Sequence, residues 1–144
     1  MPFVRIFVHL VFATKHRFPF LTNEIRKNVQ KHIMENCEQK KIYLQCINGS
    51  NDHLHCLISL GKEQTISQVA KLIKGESSHW VNINKLTEIP FQWQNDYYAV
   101  SVSEKEIEKV IHYIKHQEQH HREKTMGDEL DVFKEIDPLL SAWS

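Results

Sequence analysis

The feature of the sequence that most constrains the fold is a turn followed by a short apolar run. Residues 48–52 (Asn-Gly-Ser-Asn-Asp) are typical of turns, and residues 53–60 have the length and composition of a strand. Because residues 42–47 also have strand character, the two runs predict an antiparallel pair. Side chains alternate along a strand, so His53 and His55 share one face and the apolar residues between and after them share the other.

This histidine pair has two interpretations. Two imidazoles at a fixed separation on a rigid strand suit metal coordination, provided that a further ligand comes from elsewhere in the chain. The same pair on a half-exposed strand is equally an ordinary solvated surface. Spacing alone does not decide between these interpretations, so the metal interpretation depends on finding a partner.

The elements around the pair predict the fold class. Residues 3–14 are β-branched and aromatic on both faces, as in a central strand, and residues 23–40 have helical spacing. A second helix opens at Thr65 or Ser67, and residues 97–103 alternate as a fourth strand. The order βαββαβ predicts an α+β, ferredoxin-like antiparallel sheet with its helices on one face.

Gly75 lies in the middle of the second predicted helix. Glycine costs about 1 kcal/mol relative to alanine inside a helix. Its position therefore indicates a close approach by a neighbouring element or by a ligand.

A further helix is predicted at the C-terminal side of the fourth strand. Ser103 and Glu106 form a capping-box pattern, and the helical spacing continues from residue 104 to about residue 122. Its apolar stripe consists of Ile107, Val110, Ile111 and Ile114. At about 100° per residue, Tyr113 and Gln117 lie on one flank of this stripe, one turn apart and at the border between core and solvent. A tyrosine with its ring buried and its hydroxyl in water is the ordinary alternative for Tyr113.

His112, His116 and His120 form a second histidine constellation, at successive steps of four residues along the same helix. They point away from the apolar stripe, and the sequence implies no carboxylate or apolar shell around them. A solvated or phosphate-facing surface is therefore favoured over a metal site.

Composition narrows the class of protein. The 144 residues suit one domain, residues 1–144, and 18 basic residues balance 18 acidic ones, so an anionic partner requires a local basic patch. Three cysteines without a CxxC pair argue against a disulfide framework and indicate a reduced, cytoplasmic protein. No segment approaches the roughly 20 apolar residues of a membrane span, and none has the pattern of a targeting sequence.

Four segments carry a family resemblance. They are Asn51-Asp52-His53-Leu54-His55, Lys74-Gly75-Glu76-Ser77-Ser78, residues 97–103 after Trp93, and the helix with Tyr113, Gln117, His120 and His121. Together they resemble the single-tyrosine transposases of the HUH group, small enzymes of bacterial insertion sequences that move DNA as single strands. The resemblance extends from residue 11 to about residue 133, whereas residues 134–144 match no feature of the family.

The resemblance implies a role for each site residue. Tyr113 would be the nucleophile that attacks a DNA phosphodiester, forming a 5′-phosphotyrosine bond and releasing a 3′-hydroxyl. His53, His55 and Gln117 would hold one Mg²⁺ or Mn²⁺ ion. Tyrosine has an ordinary pKa of about 10, so its attack at neutral pH needs the electrostatic help that such an ion gives. On grounds of ligand softness, two imidazoles and an amide suit Mn²⁺ or Zn²⁺ better than Mg²⁺.

The family also implies a DNA partner and an assembly. Its members act as homodimers on imperfect hairpins in single-stranded DNA, and in some members the tyrosine helix serves the partner's histidine pair. Candidate DNA-binding residues are the local basic groups Lys15, His16, Arg17, Lys71 and Lys74. Each of them has the alternative of an ordinary surface residue.

Two other functions stay open. One is a domesticated, non-catalytic protein that binds single-stranded DNA or an RNA hairpin, although Tyr97 and Tyr98 alternate onto opposite faces and no RRM-type aromatic signature appears. The other is a histidine-rich, metal-sensing dimer. The metal-sensing function would predict tight metal uptake without DNA and indifference to Tyr113.

Overall fold

A computed structural model describes residues 2–117 of the chain. Its strands are β1 (Ile6–Ala13), β2 (Tyr43–Gly49), β3 (His53–Leu60) and β4 (Tyr98–Val102), and its helices are α1 (Asn23–Gln39), α2 (Ile66–Ile83) and α3 (Ile107–Lys115). The order βαββαβ followed by a further helix confirms the sequence prediction. No helix in this part of the chain is long and apolar enough to cross a membrane.

The four strands form one antiparallel sheet in the order β2-β3-β1-β4. This is the ferredoxin-like arrangement that the sequence predicts. The two longest strands, β1 and β3, lie at the centre. Their register places Val11 opposite His55 and Ala13 opposite His53, so the histidines of β3 lie beside the C-terminal half of β1.

Each face of the sheet is covered by helices. Leu10 and Phe12 of β1 pack in the core under α1 and α2, whereas Val11 and Ala13 pack with Tyr113 and its neighbours on α3. The side chains of β1 are therefore buried on both faces over most of its length, which explains why its sequence is nearly apolar throughout. The two long helices share one face, as predicted, and α3 covers the other.

The structure selects Thr65 from the two predicted starts of α2, and it corrects the predicted start of α3. At α2 the N-cap is Thr65, whose side chain accepts a hydrogen bond from the Gln68 amide. The capping box before α3 is wrong, because Ser103 makes no side-chain cap and residues 104–106 form a 3-10 turn. Helix α3 begins at Ile107 and ends at Lys115, where the next backbone N–H bonds to carbonyls three and four residues back and tightens the turn. Residues 118–122 of the predicted helix lie outside the described chain.

Candidate active site

His53 and His55 lie on the face of the sheet that α3 covers. Their exposed fractions are 1% and 0%, so the half-exposed, solvated arrangement that the sequence left open is wrong. Leu54, between them, faces the opposite core. The rings of the two histidines are 5.1 Å apart between centroids. Strand alternation therefore predicted their common face correctly, and the covering helix accounts for their burial.

His53 is oriented by the turn that precedes it. Its Nδ1 lies 2.7 Å from Asp52 Oδ1 and 2.7 Å from Ser50 Oγ. Burial raises the pKa of Asp52, but the hydrogen bond and charge of His53, together with Arg17 and the Ser50 hydrogen bond, outweigh it and leave the pKa lowered. An ionised carboxylate requires the proton of His53 to be on Nδ1, which leaves the lone pair of Nε2 directed away from the turn.

His55 has a partner that the sequence did not reveal. Its Nδ1 lies 2.9 Å from His9 Nε2 on β1, and the two rings are stacked with centroids 5.1 Å apart. Burial lowers the pKa of His9 to about 3 and that of His55 well below its ordinary value, so both rings are neutral at physiological pH. When His55 donates its Nδ1 proton to His9, its Nε2 carries a lone pair suited to a metal.

Tyr113 and Gln117 are more buried than the sequence predicted. The Tyr113 ring packs edge-on against His55, with centroids 5.7 Å apart, and only 7% of the residue is exposed. Gln117 is fully buried, and neither atom of its amide has a hydrogen-bond partner among residues 2–117. Because burying an unpartnered amide costs free energy, this side chain is an expected ligand or contact for a group outside residues 2–117.

These donors fit a divalent ion on chemical grounds. Residues 2–117 contain no cluster of three or more His, Cys, Asp or Glu side chains that forms a metal site by itself. The set consists of the Nε2 atoms of His53 and His55 and the unpartnered amide of Gln117, which leaves room for phosphate oxygens and water. Two imidazoles and one amide oxygen favour Mn²⁺ over Mg²⁺.

The second histidine constellation faces solvent, as predicted. His112 and His116 are both exposed, with ring centroids 4.1 Å apart. His116 Nδ1 bonds to the His112 carbonyl at 2.7 Å and so caps the end of α3. The third member, His120, lies outside the described residues.

The candidate DNA-binding residues fall into two groups. Lys15, His16, Lys71 and Lys74 line one open cavity of about 810 Å³ between α2 and the segment before β4. Arg17 is not part of its wall and instead lies close enough to Asp52 to lower the pKa of that carboxyl.

Lys74 has a structural partner within this cavity. Its ammonium donates hydrogen bonds to the carbonyl oxygens of Gln94, Asn95 and Asp96 at 2.6, 3.0 and 3.3 Å. The segment before β4 is therefore fastened to α2 by this lysine. The ammonium groups of Lys15 and Lys71 make no such contact with residues 2–117.

Comparisons with known proteins agree with this architecture. The structure resembles that of a candidate transposase from Deinococcus radiodurans R1, with a TM-score of 0.66 and 22% identity over 81% of this chain and 93% of that one. It also resembles a REP-associated tyrosine transposase bound to a REP hairpin, with a TM-score of 0.63 and 14% identity over 84% of this chain and 72% of that one. At these identities the likeness concerns the fold. A search of curated proteins finds no match.

The sequence itself carries the family assignment. The family described as IS200-like transposases matches residues 3–117, which is most of the chain and nearly all of its described part. That span includes the histidine strand, Gly75, Tyr113 and Gln117. The chain therefore belongs to the IS200-like transposase family.

Proposed function

We propose that this transposase cleaves and rejoins single-stranded DNA through a covalent bond to Tyr113. The observation that carries the proposal is the packing of the Tyr113 ring on His55, 5.7 Å between centroids. One turn further along the chain is the buried Gln117 amide, which has no hydrogen-bond partner among residues 2–117. A nucleophile, two imidazoles and an amide on one side of the sheet suit phosphoryl transfer from DNA.

The reaction exchanges one phosphoester for another. The Tyr113 hydroxyl oxygen forms a bond to the scissile phosphorus, and the bond between that phosphorus and the 3′-oxygen breaks. The tyrosine gives up its proton, and the leaving 3′-oxygen takes one to become a hydroxyl. The 5′-phosphotyrosine preserves the phosphoester, so a 3′-hydroxyl rejoins the strand by the reverse step.

His53, His55 and Gln117 would hold Mg²⁺ or Mn²⁺. Such an ion would neutralise charge on the phosphate and lower the barrier to attack by a phenol. Asp52 and Ser50 beside His53, and His9 beside His55, favour the tautomer whose Nε2 lone pair can bind a metal. Burial keeps the His55 ring neutral.

The proposed substrate is single-stranded DNA with a hairpin. The REP hairpin on one related structure supports this class of partner, and the cavity with Lys15 and Lys71 offers the local basic surface that a chain of zero net charge requires. A homodimer is proposed from the family alone.

A covalent-adduct assay tests the proposal. The protein is incubated with labelled single-stranded DNA covering the hairpins that flank its gene, with Mn²⁺ or Mg²⁺, and a denaturant-resistant complex is measured. We expect Tyr113→Phe to reduce the adduct at least about a thousandfold, as for loss of other nucleophiles, and His55→Ala to reduce it strongly.

Matched controls separate chemistry from folding. Tyr43→Phe removes the hydroxyl of an exposed tyrosine, and His112→Ala removes an exposed imidazole from the tyrosine's own helix. Both should form the adduct at the wild-type rate. Hairpin binding without any adduct in the wild-type protein would contradict the proposal and favour a binding-only, domesticated transposase.

A further inference from the structure

The cavity beside α2 contains a glycine that the protein's own packing does not explain. Gly75 lies in the interior of α2, and a Cβ built on it meets no atom of the described residues within 4 Å. Its φ is not positive, so neither backbone conformation nor a neighbouring element requires glycine there. Of the two causes that the sequence suggested, residues 2–117 supply no neighbouring element, which favours a ligand.

The residues around Gly75 have the chemistry of a nucleotide site. The cavity measures about 810 Å³ and is lined by Lys15 and Lys71, by Trp93, and by the half-buried ring of Tyr97. The Lys74 ammonium lies over that ring, 5.6 Å from its centroid. Ammonium groups bind phosphate, and an aromatic ring stacks on any base. Asp96 is the acidic residue of this wall. Burial lowers the pKa of Lys74, and the charge of Asp96 offsets only part of that shift.

The cavity adjoins the candidate active site through one tight turn. Lys15 and His16 line the cavity, whereas Arg17 acts on Asp52, which orients His53. His16 and Arg17 both have a φ of 57°, a left-handed conformation that is strained for residues with a side chain. Thr14 fastens this turn by bonding through its backbone N–H to the Asp52 carbonyl at 2.8 Å. Strain held by such contacts is typical of functional segments.

We propose that this cavity binds one nucleotide of the single-stranded DNA that flanks the cleaved phosphate. Its phosphate contacts Lys15 and Lys71, its base packs on Tyr97, and the bare backbone at Gly75 admits the sugar or base. This inference rests on the proposed function, because it identifies where the substrate strand of that reaction continues. From the cavity the strand passes Arg17 to reach His53 and Tyr113.

Gly75 offers a direct test because a side chain at this position fills the cavity without displacing the protein. Gly75→Gln is compared with His79→Gln, which places the same side chain on an exposed position of α2 outside the cavity wall. Lys71→Ala is compared with Lys27→Ala, an exposed lysine of α1 that is also outside it. Thermal unfolding by circular dichroism verifies that all four variants fold.

The probe is a fluorescent oligothymidylate of 20 nucleotides, measured by anisotropy over a series of salt concentrations. We expect Gly75→Gln to weaken binding at least about tenfold, and Lys71→Ala to weaken it several-fold with a salt slope reduced by about one. Both control variants should bind like the wild type. An oligonucleotide with 5-iododeoxyuridine should crosslink under ultraviolet light to the peptide containing Tyr97.

Unchanged binding by Gly75→Gln, or crosslinks that map only to peptides outside the cavity, would overturn the proposal. The adduct assay distinguishes this failure from failure of the proposed function. Adduct formation by the wild type together with unchanged binding by Gly75→Gln rejects the cavity and retains the transposase chemistry. Weakened binding by Gly75→Gln in a protein that forms no adduct supports the cavity and rejects the chemistry.

Discussion

At the scale of single residues, the site is distinguished by the hydrogen-bond partners of the Nδ1 atom of each imidazole. His53 is hydrogen-bonded to a carboxylate and a hydroxyl of its own turn, whereas His55 is hydrogen-bonded to a histidine of a neighbouring strand. An ionised carboxylate can only accept a hydrogen bond. In a pair of histidines, either ring can be the donor, so two tautomeric arrangements are possible. The tautomer of His55 therefore depends on which proton His9 retains.

We expect His9 to act as a positioning residue for His55. His9→Leu removes the acceptor at 2.9 Å from His55 Nδ1 and should weaken Mn²⁺ binding about 10- to 100-fold. Losses of this size are typical when a group hydrogen-bonded to a metal ligand is removed. His9→Gln offers an amide oxygen to the same Nδ1–H and should restore most of the affinity. Isothermal titration with Mn²⁺ in the presence of single-stranded DNA measures both variants.

The titration has a clear contrary outcome. If His9 only fills space, His9→Leu keeps the wild-type affinity for Mn²⁺, and the glutamine variant binds no better than leucine. Nitrogen chemical shifts of the His55 ring give a second measurement, because they report whether the proton is on Nδ1 or Nε2. Loss of His9 should mix these tautomers in a protein that is still folded.

The sequence predicts the histidine pair but not the groups that are hydrogen-bonded to it. Alternation along β3 is a local property, so the common face of His53 and His55 follows from their spacing alone. His9 lies 46 residues from His55, and its contact depends on the register between β1 and β3. A strand that is apolar on both faces has no alternating pattern from which the register could be predicted. The one available signal was His9, a single imidazole within an otherwise apolar run.

At the scale of elements, two glycines have opposite consequences. Gly49 ends β2, and a Cβ there would lie 2.1 Å from the His53 carbonyl oxygen and 2.9 Å from Leu54 Cα. Backbone atoms cannot give way as a flexible side chain does. This glycine lets the turn before β3 close tightly enough to place Asp52 behind His53.

Gly49→Ala should therefore destabilise the protein by about 3 kcal/mol, a value typical of backbone clashes and strain. Urea unfolding followed by circular dichroism gives the change in free energy. Gly61→Ala is the control, because the atoms nearest its added Cβ belong to the flexible Gln64 side chain, 3.0 Å away. An unfolding free energy for Gly49→Ala equal to that of this control would contradict the contact geometry at the turn.

Gly75→Ala should change stability in the other direction. With open space around the added methyl group, alanine contributes only its better helix propensity, and the free energy of unfolding should rise by about 0.5–1 kcal/mol. The same urea titration measures it. A loss of stability would mean that another part of the protein approaches α2 at this position, which would contradict a ligand site at Gly75.

Element order was the part of the fold that the sequence predicted best, since period-two and helical patterns repeat over many residues. The ends of α3 were predicted worst. Ser103 and Glu106 have the letters of a capping box, yet residues 104–106 adopt a 3-10 turn and helix geometry begins at Ile107. Caps depend on a few dihedral angles, which a pattern of residue types does not determine.

At the scale of the whole molecule, the position of α3 determines whether Tyr113 and His55 of one site in a dimer would come from the same chain or from both chains. Asn48 Nδ2 bonds to the Lys115 carbonyl at 3.1 Å, which fastens the end of α3 to β2, next to the strand that carries His55. Tyr113 accordingly packs on the His55 of its own chain. An exchange of α3 between subunits would break both contacts and remake them with the partner.

Mixing inactive subunits tests this arrangement. Tyr113→Phe and His55→Ala proteins, unfolded together and refolded at equal concentration, should form no more adduct than either variant alone, because a tyrosine acting within its own chain never meets an intact histidine pair. If α3 were exchanged, each mixed dimer would hold one complete site, and roughly a quarter of the wild-type sites would return.

The adduct yield of the mixture is informative only if dimers with one subunit of each variant have formed. Two different affinity tags, purified in sequence, isolate the mixed dimer, and light scattering measures its mass. Recovery of the adduct in that fraction would show that Tyr113 serves the partner's histidines and that the contact with His55 is remade between subunits. A mixed dimer without adduct, beside an active wild-type dimer carrying the same tags, would show that each chain contains its own complete site.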